Sequence, residues 1–538
     1  MLIPQPQPSW EQRAAKKRAA LSAAIPNEWR ISPHLLPPAS QDDVSTWPEI
    51  SGWFTPDELA ITQSSATELL GKLASGQLKS EVVTRAFCKR AAAAHQLVNC
   101  LIDIQFDHAI EVAKQRDLYL AQNGKPMGPL HGLPISLKDH FKLKGCDSLA
   151  GFTTYIGQPT PTYSTLPPVL EALGAVFYVK TSTPTAMMLA ETVNNIIGRT
   201  VNPLNRQTAV GGSSGGEAAL LALKGSPLGV GSDIGGSLRI PAACTGLFTL
   251  RPSGGRFPTG NCRSGIAGQE ALFSVNGPMA RSIDDLELYC RTVIETQPWL
   301  IDPKCLPIPW RKASPPSRLK IAVMWHDTTV RPTPPVARAL KTTVQKLKAA
   351  GHELVDWNPV DQKLAMDLFA RMLLADGGTA IDKVLKRGGE PWREDMEEYR
   401  SLKELTVNQM WELQIERTEF LESHLDRWNK AGIDAILCPT MPFNAVRHDK
   451  LKHTGYTHVF NVLDYSAMSF PSGMLVDKHV DIEDPAYVPL GPECAAIHAE
   501  YEPDLMHGMP INIQLVARRL EEEKLVAMTR SVLEALES

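Results

Sequence analysis

An α/β fold built on a largely buried sheet is what this chain predicts, and three observations predict it. Short apolar runs alternate with longer helical patterns through most of the sequence. The runs, such as "AVFYVKT" and "DAILCPTMP", are apolar enough to be covered on both faces, as strands between helices are. At 538 residues and 43% hydrophobic composition, the chain also has ample material for a large core. No internal repeat divides it.

Residues 1–60 read as a helical arm. Ser9 and Gln12 stand at capping-box spacing, and Trp10, Ala14, Leu21 and Ile25 fall on one helical stripe. That favours a docked amphipathic helix over a basic, Ala-rich presequence, and no apolar run of a secretory signal is present. A Pro-rich connection, "SPHLLPPASQDDVSTWPE", follows. Ser65 and Glu68 form a second capping box opening "SATELLGKLASG", which Gly76 breaks, and "SEVVTRAFCKRAAAAHQL" is a further helix. "GLPISLKDH" is an apolar run ending at Lys138 and Asp139. The helix "LPPVLEALG" leads into the strand "AVFYVKT". "GGEAALLALKG" is helical, and "LGVGSDIGG" is a strand running into a glycine turn. "LKIAVMW" reads as a strand before the Pro-started helix "PPVARALKTTVQKLKAAG". "DAILCPTMP" and "MPINIQLVAR" are two more strands, and "LEEEKLVAMTRSVLEAL" closes the chain with Leu525, Met528, Val532 and Leu536 on one face. The stretch from Pro303 to Pro316 is the best candidate for a linker or surface excursion. It is not expected to split two cores, because the alternation resumes beyond it.

Composition excludes several classes. A net charge of −4 argues against a nucleic-acid or anionic-membrane partner, which call for basic excess. Nine scattered cysteines without a CxxC read as reduced thiols of an intracellular protein, and none has partners at zinc spacing. No stretch approaches the ~20 apolar residues of a membrane helix, so a cytoplasmic location is the default. A homodimer is compatible with the sequence.

Three segments place a reactive group beside unusual backbone: Lys138 at the end of "LPISLK", "GGSSGG" at residues 211–216, and "DIGGS" at 233–237. "GGSSGG" lacks the Lys of a phosphate loop and the GxGxxG of a dinucleotide fingerprint. It satisfies the GxSxG of a nucleophile elbow, but "NPLNRQTAV" is a poor strand before it. Nor does anything mark His448, His453 or His507 as a triad partner. That reading stays open beside a second one, which uses all three segments. In it Ser237 is an acyl-transfer nucleophile, Ser213 passes its proton on, and Lys138 holds it. A lysine serving near neutral pH must fall from its ordinary pKa of about 10.4, which burial away from carboxylates achieves. Ile234, Gly235 and Gly236 can then bare backbone N–H groups as an oxyanion hole. Asp233 and Arg239 read as pins of the glycine turn. Asp139 reads as an organiser, since a carboxylate touching Lys138 would raise its pKa and oppose catalysis.

The block "GGSSGGEAALLALKGSPLGVGSDIGGSLRIPAACTGLFTLRPS" resembles the defining block of the amidase signature family, as do the gaps of 75 residues from Lys138 to Ser213 and 24 from Ser213 to Ser237. "GPLHGLPISLKD", "ETVNNIIGRTVNP", "AVRHD" and "HGMPINIQLVARRLEEEKL" are similar to the fungal acetamidase group. The resemblance implies a single large domain over 61–538 with a central mixed, twisted sheet covered by helices. It also implies a Ser-cisSer-Lys triad of Ser237, Ser213 and Lys138, with a cis bond between Gly212 and Ser213. Backbone of Ile234, Gly235, Gly236 and Ser237 would bind the oxyanion, Ser214 would support the triad, and Met187 would touch substrate. The implied activity is hydrolysis of a small or aryl-substituted primary amide without metal or organic cofactor. Glutamine hydrolysis in a transamidation complex and cleavage of longer acyl amides are the alternatives. Leu238, where isoleucine is usual, and His140, where Asn or Gln is common, depart from the pattern.

Overall fold

The computed structural model describes residues 8–314 and 316–537. The first seven residues of the arm and Pro315 of the Pro303–Pro316 stretch lie outside the described residues. Eleven strands form one sheet: β1 Leu101–Ile104, β2 Pro134–Lys138, β3 Val176–Thr181, β4 Leu228–Asp233, β5 Phe248–Arg251, β6 Val275–Ala280, β7 Lys320–Val323, β8 Glu353–Asp356, β9 Ala435–Pro439, β10 Ser466–Leu475 and β11 Pro510–Ala517. Their spatial order is β1-β3-β2-β4-β6-β5-β10-β11-β9-β7-β8. β2 runs parallel to β3 and β4, and β7 parallel to β8 and β9, while the remaining pairs are antiparallel. The mixed, twisted sheet surrounded by helices is the architecture that the family resemblance implies.

Both faces of the sheet are covered, which is why its strands are apolar without polar alternation. Along β9, Ala435 and Leu437 enter one core cluster and Ile436 and Cys438 another, and β7 divides Ile321 and Val323 from Ala322 in the same way. The helices used below are α1 Trp10–Ala24, α2 Ser80–Val98, α3 Gly215–Ala222, α4 Arg239–Thr245, α5 Gln362–Leu373, α6 Gly455–Val462 and α7 Glu522–Glu537. α2 and α7 pack into the first cluster, α5 and α6 into the second.

The sheet is continuous across the Pro303–Pro316 stretch, since β6 precedes it and β7 follows it. The stretch is a surface excursion tied to the body: the Leu306 amide donates to Gly255, and Arg311 pairs with Glu523 on α7 at 2.8 Å. "NPLNRQTAV" does contain a strand, Asn205–Ala209, but it pairs with Val201–Asn202 in a two-stranded ribbon outside the main sheet. Among the described residues no helix is long and apolar enough to cross a membrane.

The arm holds more than the one expected helix, because Trp47–Ile50 and Pro56–Gln63 are helical too. α1 carries the expected capping box at Ser9 and Gln12 and buries Ala14, Lys17 and Leu21. It is docked by polar contacts as well: Lys17 Nζ meets Asp103 on β1 at 3.2 Å, and Arg13 Nε donates to the Thr153 carbonyl at 3.2 Å. Truncating the 3%-exposed Leu21 to Ala removes an anchor worth about 2–5 kcal/mol. We expect Leu21→Ala to raise the rate of limited proteolysis within residues 26–46 at least about tenfold, by local release of the arm. An unchanged cleavage rate would show that α1 is held by other contacts.

Candidate active site

Parallel neighbours β2 and β4 end side by side, with Leu137 opposite Val230, so the site opens where the carboxyl ends of adjacent strands meet. β2 delivers Lys138 at its last position, and β4 delivers Ser232 and Asp233 before the glycine turn. Gly211–Ser214 crosses the same end before entering α3. There the Ser214 amide donates to the Ser237 carbonyl at 3.2 Å, joining the two serine-bearing segments. The Gly212–Ser213 peptide is cis.

Lys138 is fully buried, and its Nζ lies 2.8 Å from Ser213 Oγ. It lies equally close, 2.8 Å, to Ser232 Oγ, a partner that the sequence reading missed. Burial pulls its pKa down to about 7, against the opposing pull of the Asp233 and Glu217 carboxylates. Neither touches it. Asp233 Oδ2 accepts from Arg239 Nε at 3.0 Å and Oδ1 from Arg239 Nη2 at 3.1 Å. Burial alone would raise the Asp233 pKa, but the guanidinium holds it well below the usual carboxylate range. Asp139 turns away to Lys180 at 3.1 Å and accepts the amides of Leu149 and Ala150 at 2.9 and 2.6 Å. Glu217, on α3, accepts from two hydroxyls, Ser136 at 2.6 Å and Thr181 at 2.8 Å, and burial pushes its pKa up to about 7.

Ser237 lines a cavity of about 540 Å³, and no protein partner for its hydroxyl occurs among the described residues. Ile234, Gly235, Gly212 and Met187 line the same space. Asp233 pins the turn as expected, accepting the Gly236 amide at 2.8 Å and the Leu238 amide at 3.2 Å. Of the four expected donors one is engaged within the turn, since the Gly236 N–H donates to Asp233, whereas the amides of Ile234, Gly235 and Ser237 have no protein acceptor among the described residues. Gly236 serves through conformation instead: its φ is +124°, and a Cβ there would stand 2.4 Å from Thr457 Oγ1. Ser214 Oγ is bonded to the Ser232 backbone at 3.3–3.4 Å, so it braces the strand end and is not presented as an elbow nucleophile.

The histidines weighed for an elbow lie elsewhere in the bonding pattern. His448 meets Glu191 at 2.7 Å, and His453 is held between Asp327 and Glu493, both at 2.6 Å. His507 stands beside His479 on the surface. His140 is buried, bonds Asn276 at 3.0 Å, and has its pKa lowered to about 3, chiefly by burial.

The rest of the cavity wall comes from segments that no motif announces. Phe369 and Leu373 of α5, Tyr399, Leu451 and His458 of α6 line it, as do Glu394, Asp395 and Glu398. Phe369 and His458 stack at 3.7 Å over Gly235, where a Cβ would meet Phe369 Cζ at 2.6 Å. Met187 reaches the cavity from an unusual backbone: it and Ala186 have φ of 60° and 57°, a left-handed conformation that bulky residues adopt only when surroundings impose it. Among the described residues no group of three or more His, Cys, Asp or Glu side chains could hold a metal ion.

The family model described as Amidase matches residues 82–526. The chain is 41% identical to an acetamidase of Aspergillus oryzae over 98% of its length and 99% of the relative's. It is 40% identical to an acetamidase of Emericella nidulans over 97% and 98%. Its structure superimposes on that of a fatty acid amide hydrolase with a TM-score of 0.94 at 36% identity, covering 98% of this chain and 95% of that one. A bacterial aryl acylamidase shares the fold, with a TM-score of 0.73 at 21% identity over 88% and 97%. Matched along most of its length by one family and nearly end to end by its relatives, the chain belongs to the amidase-signature family.

Proposed function

We propose that Ser237, Ser213 and Lys138 carry out the carboxamide hydrolysis of this amidase-signature enzyme, as nucleophile, proton bridge and base. The observation that carries the assignment is a buried amine 2.8 Å from Ser213 with no carboxylate in contact. An unassisted serine hydroxyl is a poor nucleophile near neutrality, so its proton must leave as it attacks. Ser237 Oγ adds to the carbonyl carbon. Its proton passes to Ser213 Oγ, while Ser213 gives its own to Lys138 Nζ. The developing oxyanion meets the amides of Ile234, Gly235 and Ser237, donors of a kind typically worth a few kcal/mol each to the transition state. As the tetrahedral adduct collapses, Lys138 returns a proton through Ser213 to the departing nitrogen, and a primary amide releases ammonia. Water, deprotonated by the same relay, then cleaves the ester at Ser237.

The wall favours an aryl or comparable apolar monocarboxylic amide. A cavity of about 540 Å³ faced by Met187, Met188, Ile234, Phe369, Leu373 and Tyr399 is far larger than an acetyl group requires. Glu394, Asp395 and Glu398 repel an acyl group that ends in a carboxylate. One observation favours longer acyl amides as a second reading: Leu373 also lines a neighbouring cavity of about 520 Å³, and the fatty acid amide hydrolase superimposes closely. Residues 1–60 would act as a brace on the catalytic body of 61–538. Nine unpaired cysteines suit a reducing compartment such as the cytoplasm.

Ammonia release from acetamide, benzamide, phenylacetamide, indole-3-acetamide, hexanamide and glutamine tests the reading. The aryl amides should show the highest kcat/KM, and preference for hexanamide would favour the second reading. Ser237→Ala should abolish turnover of every substrate, and surviving activity would point to another nucleophile.

The pH profile tests the base. Lys138 must be unprotonated to accept a proton, and burial sets its pKa at about 7, so kcat/KM should rise as pH increases through about 7 and level off above it. Lys138→Ala should lose at least about a hundredfold in kcat near pH 7 with near-wild-type circular dichroism. Collapse of the fold would make the residue structural, and a profile flat from pH 6 to 9 would remove it as the base.

A further inference from the structure

We infer that Thr457 is a positioning residue for the oxyanion turn: α6 grips the Gly235–Gly236 peptide by its carbonyl and thereby aims the neighbouring amides at the bound carbonyl. The inference rests on the reading of Ser237 as nucleophile.

A peptide unit is a rigid plane with a carbonyl on one edge and an N–H on the other. In the Gly235–Gly236 unit both edges are held. The N–H donates to Asp233 Oδ1 at 2.8 Å, and the carbonyl accepts from Thr457 Oγ1 at 2.7 Å. Rotation of this plane is what would turn the flanking amides, those of Gly235 and Ser237, away from the cavity. Two consecutive glycines resist such rotation least of all, because neither has a Cβ to restrict its backbone. The turn therefore needs an external hold, and Thr457 touches it directly.

α6 reaches the other edge of the same plane as well. One helical turn beyond Thr457, Asn461 Nδ2 donates to Asp233 Oδ1 at 2.9 Å, while its Oδ1 accepts from Arg239 Nη2 at 2.6 Å. The helix is itself fixed: Gln514 Nε2 donates to the Tyr456 carbonyl at 2.9 Å, and the Tyr456 hydroxyl donates to Val330 at 2.6 Å. The Thr457 hydroxyl has a competing acceptor, the Thr454 carbonyl at 2.9 Å. Its single proton can therefore leave Gly235 for the helix's own backbone, and of its two bonds only the one to Gly235 bears on the turn.

Thr457→Val keeps the shape and removes the donor, whereas Thr457→Ser restores the donor without the methyl group. On the best amide of the panel, Thr457→Val should lower kcat about 10- to 100-fold and leave KM within about twofold. Inhibition by a trifluoromethyl ketone bearing the same acyl group should weaken by the same factor as kcat/KM. The midpoint of the pH profile should stay near 7, and Thr457→Ser should keep kcat within about threefold of wild type. Should Thr457→Val fail to fold, Thr457→Ala replaces it with the same expectations. A valine variant with wild-type kcat, or a serine variant as impaired as the valine one, overturns the inference. Ser237→Ala measured alongside separates the two claims. If it is inactive while Thr457→Val is unimpaired, only the clamp fails. If it retains turnover, the nucleophile assignment falls and the clamp with it.

Discussion

The proposed proton relay depends on one lysine amine that is buried and out of contact with negative charge. Burial lowers its proton affinity, yet the surrounding sequence is rich in acids: Asp139 is adjacent, Asp233 ends the next strand, and Glu217 starts the helix behind. A carboxylate in contact with Lys138 would hold the proton on nitrogen and stop the relay. Each acid has its own partner. Asp139 is taken by Lys180, Asp233 by Arg239, and Glu217 by the hydroxyls of Ser136 and Thr181. What is left for the Lys138 side chain is two serine hydroxyls and a distant backbone carbonyl. The ion pairs around the site thus act as much by withholding charge as by stabilising the fold. A buried pair stripped of one member would leave an uncompensated charge beside the amine.

Much of this was legible in the sequence because the proposed reacting groups sit on local punctuation. Lys138 ends an apolar run, and Ser213 and Ser237 stand among glycines, patterns that a short window reveals. The strands beside them were legible for the same reason: β2, β3 and β4 are short apolar runs bounded by turns. β1, β5, β6, β8 and β10 were not singled out. Pro278 in β6 and Pro471 in β10 interrupt runs that otherwise read as strand, and β8 carries charges at both ends. Gly236 shows the limit of reading chemistry from composition. Its glycine character fits the turn, but which of the four successive amides from Ile234 to Ser237 is engaged depends on where the Asp233 carboxylate points. Ser232 lies in the run that ends at the glycine turn, and its bond to Lys138 follows from the adjacency of two strands nearly a hundred residues apart.

The wall of the cavity lay beyond such reading for a different reason. Phe369, Tyr399 and His458 come from three separate segments with ordinary helical patterns, and they meet only because α5 and α6 pack together on one face of the sheet. Apolar residues on a helix look alike whether they fill a core or face a ligand. The partner of the oxyanion turn is equally silent, since Thr457 and Asn461 differ from other buried polar residues only in what they touch.

The eleven strands form one uninterrupted sheet, with β1–β6 contributing one side and β7–β9 the far edge. The proposed reacting side chains come from the first of these regions, together with Met187 and the glycine turn, while the rest of the cavity wall and the helix against that turn come from the second half of the chain. Neither half is a finished machine. During synthesis the proposed nucleophile and base, at residues 237 and 138, emerge well before Phe369, Tyr399 and His458, so a chain that stops short of these lacks part of the cavity wall. Competence arrives late, with the last strands, and a proteolytic fragment ending near residue 300 would keep the signature block yet lack the architecture that selects what it cleaves.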